Sequence, residues 1–211
     1  MAAVIYLKIG QIMLEQMVRL EAVGIYSVAV RLSEVWYFFA TAVVISVFPV
    51  LLTARSKDTS LYYQRLQQIC DLLFVSAVLC ATGVSLFAPM LIPILFGEAY
   101  SESATILTIH IWAGLFVFMR ALVSKWLIAE YLLKFSLISH GLGAVINITA
   151  NYLLIPSFGG VGAAYATVLS YAIASYVTFW LHPSTIPIAK VMSHSLLLPL
   201  TFGRRYWRLL R

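Results

Sequence analysis

The sequence predicts an all-α polytopic membrane protein, and three observations predict it. Of its 211 residues, 62% are hydrophobic and only 10% are charged, with a mean hydropathy of +0.95, whereas an average soluble domain carries about 25% charged residues. So few charges cannot cover a water-facing surface, which excludes an ordinary soluble enzyme and a disordered chain. The apolar runs are also much longer than the roughly ten residues of a transmembrane barrel strand and lack strict alternation, so they read as helices. Finally, successive connections alternate in Lys and Arg content, as a fixed orientation across a bilayer requires.

Apolar windows bounded by polar, Gly or Pro punctuation give about six candidate spans, 1–19, 27–53, 72–96, 105–129, 134–155 and 160–181. The first is interrupted by Lys8 and has no A-x-A cleavage site, so it reads as a helix entered at or near its start and not as a signal peptide. The second carries Arg31 and Glu34 at i, i+3, with Thr41 continuing that face, a spacing that predicts a local salt bridge. Between the second and third spans, Tyr62, Leu66, Ile69 and Leu73 form one helical stripe opposite Gln64, Arg65, Gln67 and Gln68. That pattern predicts a helix lying in the membrane interface before it turns into the bilayer. Pro89 and Pro93 should kink the outer end of the third span.

The fourth span holds Arg120, about nine residues or roughly 13 Å from its basic end. Ala113, Val117, Arg120 and Ser124 share one face. A charge at that depth marks a water-filled path, a partner or a snorkelling side chain, and a guanidinium there can hold a phosphate bidentately. The fifth span has a polar stripe, His140, Ala144, Asn147 and Asn151. Such asparagines either join neighbouring helices or meet sugar hydroxyls in a cavity, and His140, with Glu34, is a candidate for ion or proton coupling. In the sixth, Gly162, Ala166 and Ser170 form a small-residue strip for close helix packing. The stretch 186–202 is broken by Lys190, His194 and Pro199 and reads as interfacial or re-entrant. The chain therefore divides into a transmembrane unit, 1–183, and an interfacial segment with a basic tail, 184–211.

Arg55, Lys57 and Arg65 fall in one connection, Lys125 and Lys134 flank another, and Lys190, Arg204, Arg205, Arg208 and Arg211 lie in the tail. The intervening connections carry Glu98 and Glu102, or no charge at all at Pro156–Gly160. The basic side is expected to be cytoplasmic. This placement explains the net charge of +6 by topology and removes the case for nucleic acid. Tyr206 and Trp207 beside the tail arginines suit anionic lipid headgroups. Cys70 and Cys80 form no disulfide framework, no Cys/His spacing suggests a metal, and no Walker A, HExxH or GxSxG motif implies a cofactor or catalysis.

Several stretches in order resemble the C-terminal half of lipid-linked oligosaccharide flippases, the O-antigen and capsular polysaccharide transporters of the multidrug/oligosaccharidyl-lipid/polysaccharide exporter superfamily. They are Gln11-Ile12-Met13-Leu14, Val23-Gly24-Ile25-Tyr26-Ser27-Val28-Ala29 leading to Arg31-Leu32, Phe48-Pro49 and Leu95-Phe96-Gly97-Glu98-Ala99-Tyr100. The longest is Asn147-Ile148-Thr149-Ala150-Asn151-Tyr152-Leu153-Leu154-Ile155-Pro156, running into Gly159-Gly160-Val161-Gly162-Ala163-Ala164-Tyr165-Ala166-Thr167. The resemblance implies one lobe of a two-lobe exporter-type transporter, with about six helices, completed by an N-terminal lobe or partner chain. It further implies a bacterial inner-membrane flippase for an undecaprenyl-pyrophosphate-linked oligosaccharide, working by alternating access. Arg120 and Arg31 would then neutralise the pyrophosphate, with Asn147 and Asn151 at the sugar or lining the cavity. The family often has Asp before the Gln-Ile-Met element, where this chain has Lys8-Ile9-Gly10. A cation-coupled multidrug exporter lobe and a non-transporting membrane scaffold or truncated remnant are the alternatives.

Overall fold

A computed structural model describes residues 2–200, with side chains from Lys8 onward. The described residues form helices and no strands: α1 (Ala2–Met17), α2 (Leu20–Glu34), α3 (Tyr37–Lys57), α4 (Thr59–Phe96), α5 (Ser101–His110), α6 (Ala113–Ala129), α7 (Leu133–Ser175) and α8 (Ile186–Leu196). Short 3-10 turns, Glu98–Tyr100, Val177–Trp180 and Pro183–Thr185, connect some of them. The basic tail with Tyr206 and Trp207 lies outside the described residues.

By length and composition, three stretches among the described residues suit a membrane: Leu20–Lys57, Thr59–Phe96 and Leu133–Trp180, the last doubled back at Gly159 into two arms. A fourth is added if α5 and α6, which meet at 47°, are taken as one broken span. Large apolar side chains face outward along them, with Phe38 78% and Leu86 71% exposed, a pattern suited to lipid. The protein is a multi-pass membrane protein.

Boundaries differ from the sequence reading in physically instructive ways. The second span begins earlier, at Leu20 after an extended Arg19, and is interrupted at Val35 and Trp36 between α2 and α3. The stripe Tyr62, Leu66, Ile69 and Leu73 packs against protein: Tyr62, Leu66 and Leu73 are within 2% of full burial and Ile69 is half-buried. Asp58 caps α4 by accepting from the Ser60 N–H at 2.7 Å, and the helix then runs unbroken for 38 residues through Pro89 and Pro93. At 1.5 Å per residue it is about 57 Å long, so it projects beyond a hydrocarbon core of roughly 30 Å.

α7 is a hairpin. Gly159 has φ 54 and ψ −132, a conformation reserved for glycine, and it reverses the chain between arms 133–158 and 160–175. The arms approach so closely that a Cβ on Gly143 would lie 2.7 Å from Ala174 Cβ, and one on Gly162 would lie 2.7 Å from the Leu154 carbonyl carbon. Gly162, Ala166 and Ser170 are buried, as the small-residue strip requires. Gly162→Ala should therefore cost about 1–3 kcal/mol through overpacking against backbone. Gly141→Ala, with nothing within 4 Å of the added carbon, should be neutral or stabilise by up to about 1 kcal/mol. Thermal unfolding in detergent distinguishes the two.

Two apolar clusters divide the molecule along its length. One joins Leu66, Leu73, Phe118, Trp126, Phe179 and Met192; the other joins Leu14, Tyr26, Ile92, Ile106, Ile111 and Ile155. The first lies at the end carrying the basic connections after α3 and α6. The second lies at the end holding Glu98 and the α7 turn. The basic connections after α3 and α6 thus share one end, with Glu130 among them, and Glu98 shares the other with Arg19.

Candidate functional site

Arg120 is 6% exposed, at the junction of α6 with both arms of α7. Its Nη1 donates to the Ala174 carbonyl at 3.4 Å, and its Nη2 donates to Ser136 Oγ at 3.1 Å. Nη2 also lies 3.2 Å from His140 Nε2. Because a guanidinium only donates, His140 accepts through Nε2 and carries its proton on Nδ1. The guanidinium carbon stands 5.1 Å from the centre of the Phe179 ring, a cation–π contact. These contacts fix the guanidinium at the junction of the three helical segments. Ser124, on the face shared with Arg120, donates to the Arg120 carbonyl at 2.9 Å.

The polar stripe of the first α7 arm faces the second arm. Asn147 is buried and donates to Ser170 Oγ at 3.1 Å, and Asn151, fully buried, donates to Asn147 Oδ1 at 2.9 Å. Ser170 Oγ donates in turn to the Ala166 carbonyl. On the neighbouring α2, the Tyr26 hydroxyl lies 3.3 Å from Thr167 Oγ1. Gly10 on α1 leaves room for this seam: a Cβ there would lie 3.6 Å from Asn151 Nδ2. His140 continues the line toward Arg120. The structure therefore unites Arg120 and His140, which the sequence presented separately, and sets both asparagines between the arms of the hairpin.

Arg31 and Glu34 lie near the end of α2, with Glu34 in electrostatic reach of Tyr26 and of Lys8 on α1. Arg31 is exposed and borders a groove of about 450 Å³ with Leu20, Gly24 and Ser27, while Glu34 is half-buried. The expected i, i+3 salt bridge is not formed. An arginine N-terminal to its glutamate is the weaker order for a helical pair, and the positive charge that acts on Glu34 is Lys8 of α1. Among the described residues the side-chain ion pair is instead Arg55–Glu130 at 2.9 Å, tying the end of α3 to the end of α6. Lys125 stands 5.4 Å from the Phe48 ring centre, a contact at the helix end and not a buried site.

One buried group escaped the sequence reading. Asp71, 3% exposed on α4, accepts from Gln67 Nε2 at 2.7 Å and from Ser195 Oγ on α8 at 2.6 Å. Gln67 also reaches the Val191 carbonyl at 3.1 Å and Ser195 Oγ at 3.0 Å. α8 is thereby docked on α4. With 11 residues it is too short to cross the bilayer. Among the described residues, no three His, Cys, Asp or Glu side chains are grouped as metal ligands.

Comparison with known proteins adds two findings. A family model described as lipid II flippase MurJ matches residues 9–200. The probable low-salt glycan biosynthesis flippase Agl15 of Haloferax volcanii is 26% identical over 155 residues, covering 72% of this chain and 32% of that protein. The chain thus spans about a third of the length of the curated relative it matches. No solved structure matches it.

Proposed function

Because the chain belongs to the lipid II flippase MurJ family, we propose that it forms one lobe of a flippase that moves a lipid-linked glycan across a membrane by alternating access, without catalysing a reaction. The observation that carries this reading is the family match over residues 9–200. The relative's description, a flippase of glycan biosynthesis, supports the same substrate class. The finer proposal is an undecaprenyl-pyrophosphate-linked oligosaccharide of O-antigen or capsule synthesis, carried across a bacterial inner membrane, with the C-terminus on the cytoplasmic side. The alternation of basic and acidic connections supports that orientation.

In this reading Arg120 supplies positive charge to the pyrophosphate. Ser136, His140, Ala174 and Phe179 hold its guanidinium at the helix junction, so little ordering entropy remains to be lost on binding. Arg31, exposed beside the α2 groove, is a second contact for the anionic headgroup. Asn147 and Asn151 stiffen the α7 hairpin beneath the site and lie near the sugar path. His140 couples to the cycle through its bond to Arg120: a second ring proton would end that bond. Glu34 is a further proton or ion site. The other wall comes from an N-terminal lobe, in the same polypeptide or a partner chain, and rocking of the lobes exposes the cavity to each side in turn.

Vesicles test this directly. A fluorescent lipid-linked oligosaccharide should be flipped when this lobe is reconstituted with its complementary lobe, and not by the 211-residue chain alone. Equal rates in the two preparations, or no flipping in the paired one, would overturn the proposal.

A further inference from the structure

We propose that the cleft between the N-terminal part of α4 and α8 is a binding site for an anionic phospholipid, with its phosphate at Lys190 and His194 and its acyl chain along Ile186 and Val191. The inference stands apart from the transported substrate and from the Arg120 site. The cleft has a volume of about 500 Å³. Tyr63 and Gln67 of α4 form one wall, and α8 with the Pro183–Thr185 turn forms the other. No carboxyl group lines it. Lys190 and His194 are both exposed at its rim and stand at i, i+4, so they share one edge of α8. An ammonium with a neighbouring imidazole suits a phosphate diester.

The apolar floor decides which phosphate. Inorganic phosphate has nothing to place against Ile186, Pro187 and Val191, whereas an acyl chain does. α8 also keeps its own apolar face, Ile188, Ala189 and Met192, inside the protein. It therefore stands as a fixed wall instead of inserting as a free amphipathic helix. Hydrogen bonds set the spacing of the walls: Gln67 to the Val191 carbonyl at 3.1 Å and Ser195 to Asp71 at 2.6 Å. Such a cleft is preorganised. It opens at the end of the molecule that gathers Lys57, Arg65, Lys125 and Lys134, where anionic lipid is concentrated.

The test uses the full chain, delipidated in detergent, with binding followed by native mass spectrometry. Dioleoylphosphatidylglycerol should bind at least about tenfold more tightly than dioleoylphosphatidylcholine. The double variant Lys190→Glu, His194→Glu should lower that affinity by at least about tenfold while leaving the lipid-free melting temperature unchanged. Neutralising the tail arginines Arg204, Arg205, Arg208 and Arg211 should leave it in place. Equal binding of the two lipids, undiminished binding by the double variant, or loss with the tail variant would overturn the site. Displacement of phosphatidylglycerol by equimolar inorganic phosphate would overturn the lipid assignment. None of these readouts involves transport, so failure here is distinguishable from failure of the flippase reading.

Discussion

Arg120→Gln, in the lobe paired with its complement, should slow flipping of a pyrophosphate-linked oligosaccharide by about 10–100-fold. The magnitude follows from losing hydrogen bonds to a charged group, about 1.5–3 kcal/mol, at about 1.4 kcal/mol per factor of ten. Glutamine keeps a planar amide but ends two bonds short of the Nη atoms that contact Ser136 Oγ and the Ala174 carbonyl. The melting temperature is therefore read beside the rate, and the loss of rate should exceed what unfolding accounts for. Arg120→Lys keeps the charge but loses the fork that binds oxygens in pairs, so its rate should fall between wild type and Arg120→Gln. A purely structural arginine would give the opposite split: unfolding would track the change in rate, and lysine would rescue neither.

Asp71→Ala should destabilise the protein by about 3 kcal/mol and loosen α8. Deleting the carboxyl removes a charged acceptor held at 2.7 and 2.6 Å and leaves Gln67 Nε2 and Ser195 Oγ to share the Val191 carbonyl, at 3.1 and 3.3 Å. Hydrogen bonds to a charged group contribute about 1.5–3 kcal/mol. The melting temperature in detergent should fall, and tryptic cleavage after the exposed Lys190 should accelerate. The double variant Asp71→Ala, Ser195→Ala should lose less than the sum of the single variants, because the two residues share one interaction. Unchanged melting and cleavage would show that apolar contacts, such as those of Ile188 and Met192, suffice to hold α8.

The helical, membrane-spanning character of the chain was legible because composition and apolar run length report the solvent directly. The α7 turn was legible too: Pro156-Ser157-Phe158-Gly159-Gly160 concentrates the residues that reverse a chain. The break between α2 and α3 was not. Val35, Trp36 and Tyr37 include neither glycine nor proline, and Arg31, Ser33 and Glu34 before them read as the polar face of a continuing helix. The start of α4 misled for a related reason. An apolar stripe opposite a polar face fits a helix against lipid and a helix against protein equally well, and only the packing partners, Trp126 and Met192 among them, decide between them.

The site divides along the same line. Arg120 stood out because a charge in an apolar run is costly wherever the run lies in lipid. Its tie to His140 carried no local signal, since the two lie on different helices with a connection between them. Asp71 was overlooked because it follows the polar run Gln64–Gln68 closely and reads as its continuation. Its burial depends on α8, more than a hundred residues later in the chain (|i−j| = 124 to Ser195). The Arg31–Glu34 spacing suggested a local pair, but the charge that acts on Glu34 is that of Lys8 on another helix, which no local pattern signals.

The most direct measurement is the affinity of the lobe, paired with its complement, for undecaprenyl pyrophosphate against uncharged undecaprenol, in wild type and in Arg120→Gln. If the buried guanidinium holds the anionic headgroup, wild type should prefer the pyrophosphate by at least about tenfold and the variant should lose most of that preference. The same preference in both proteins would contradict it, leaving Arg120 as a clasp between α6 and α7.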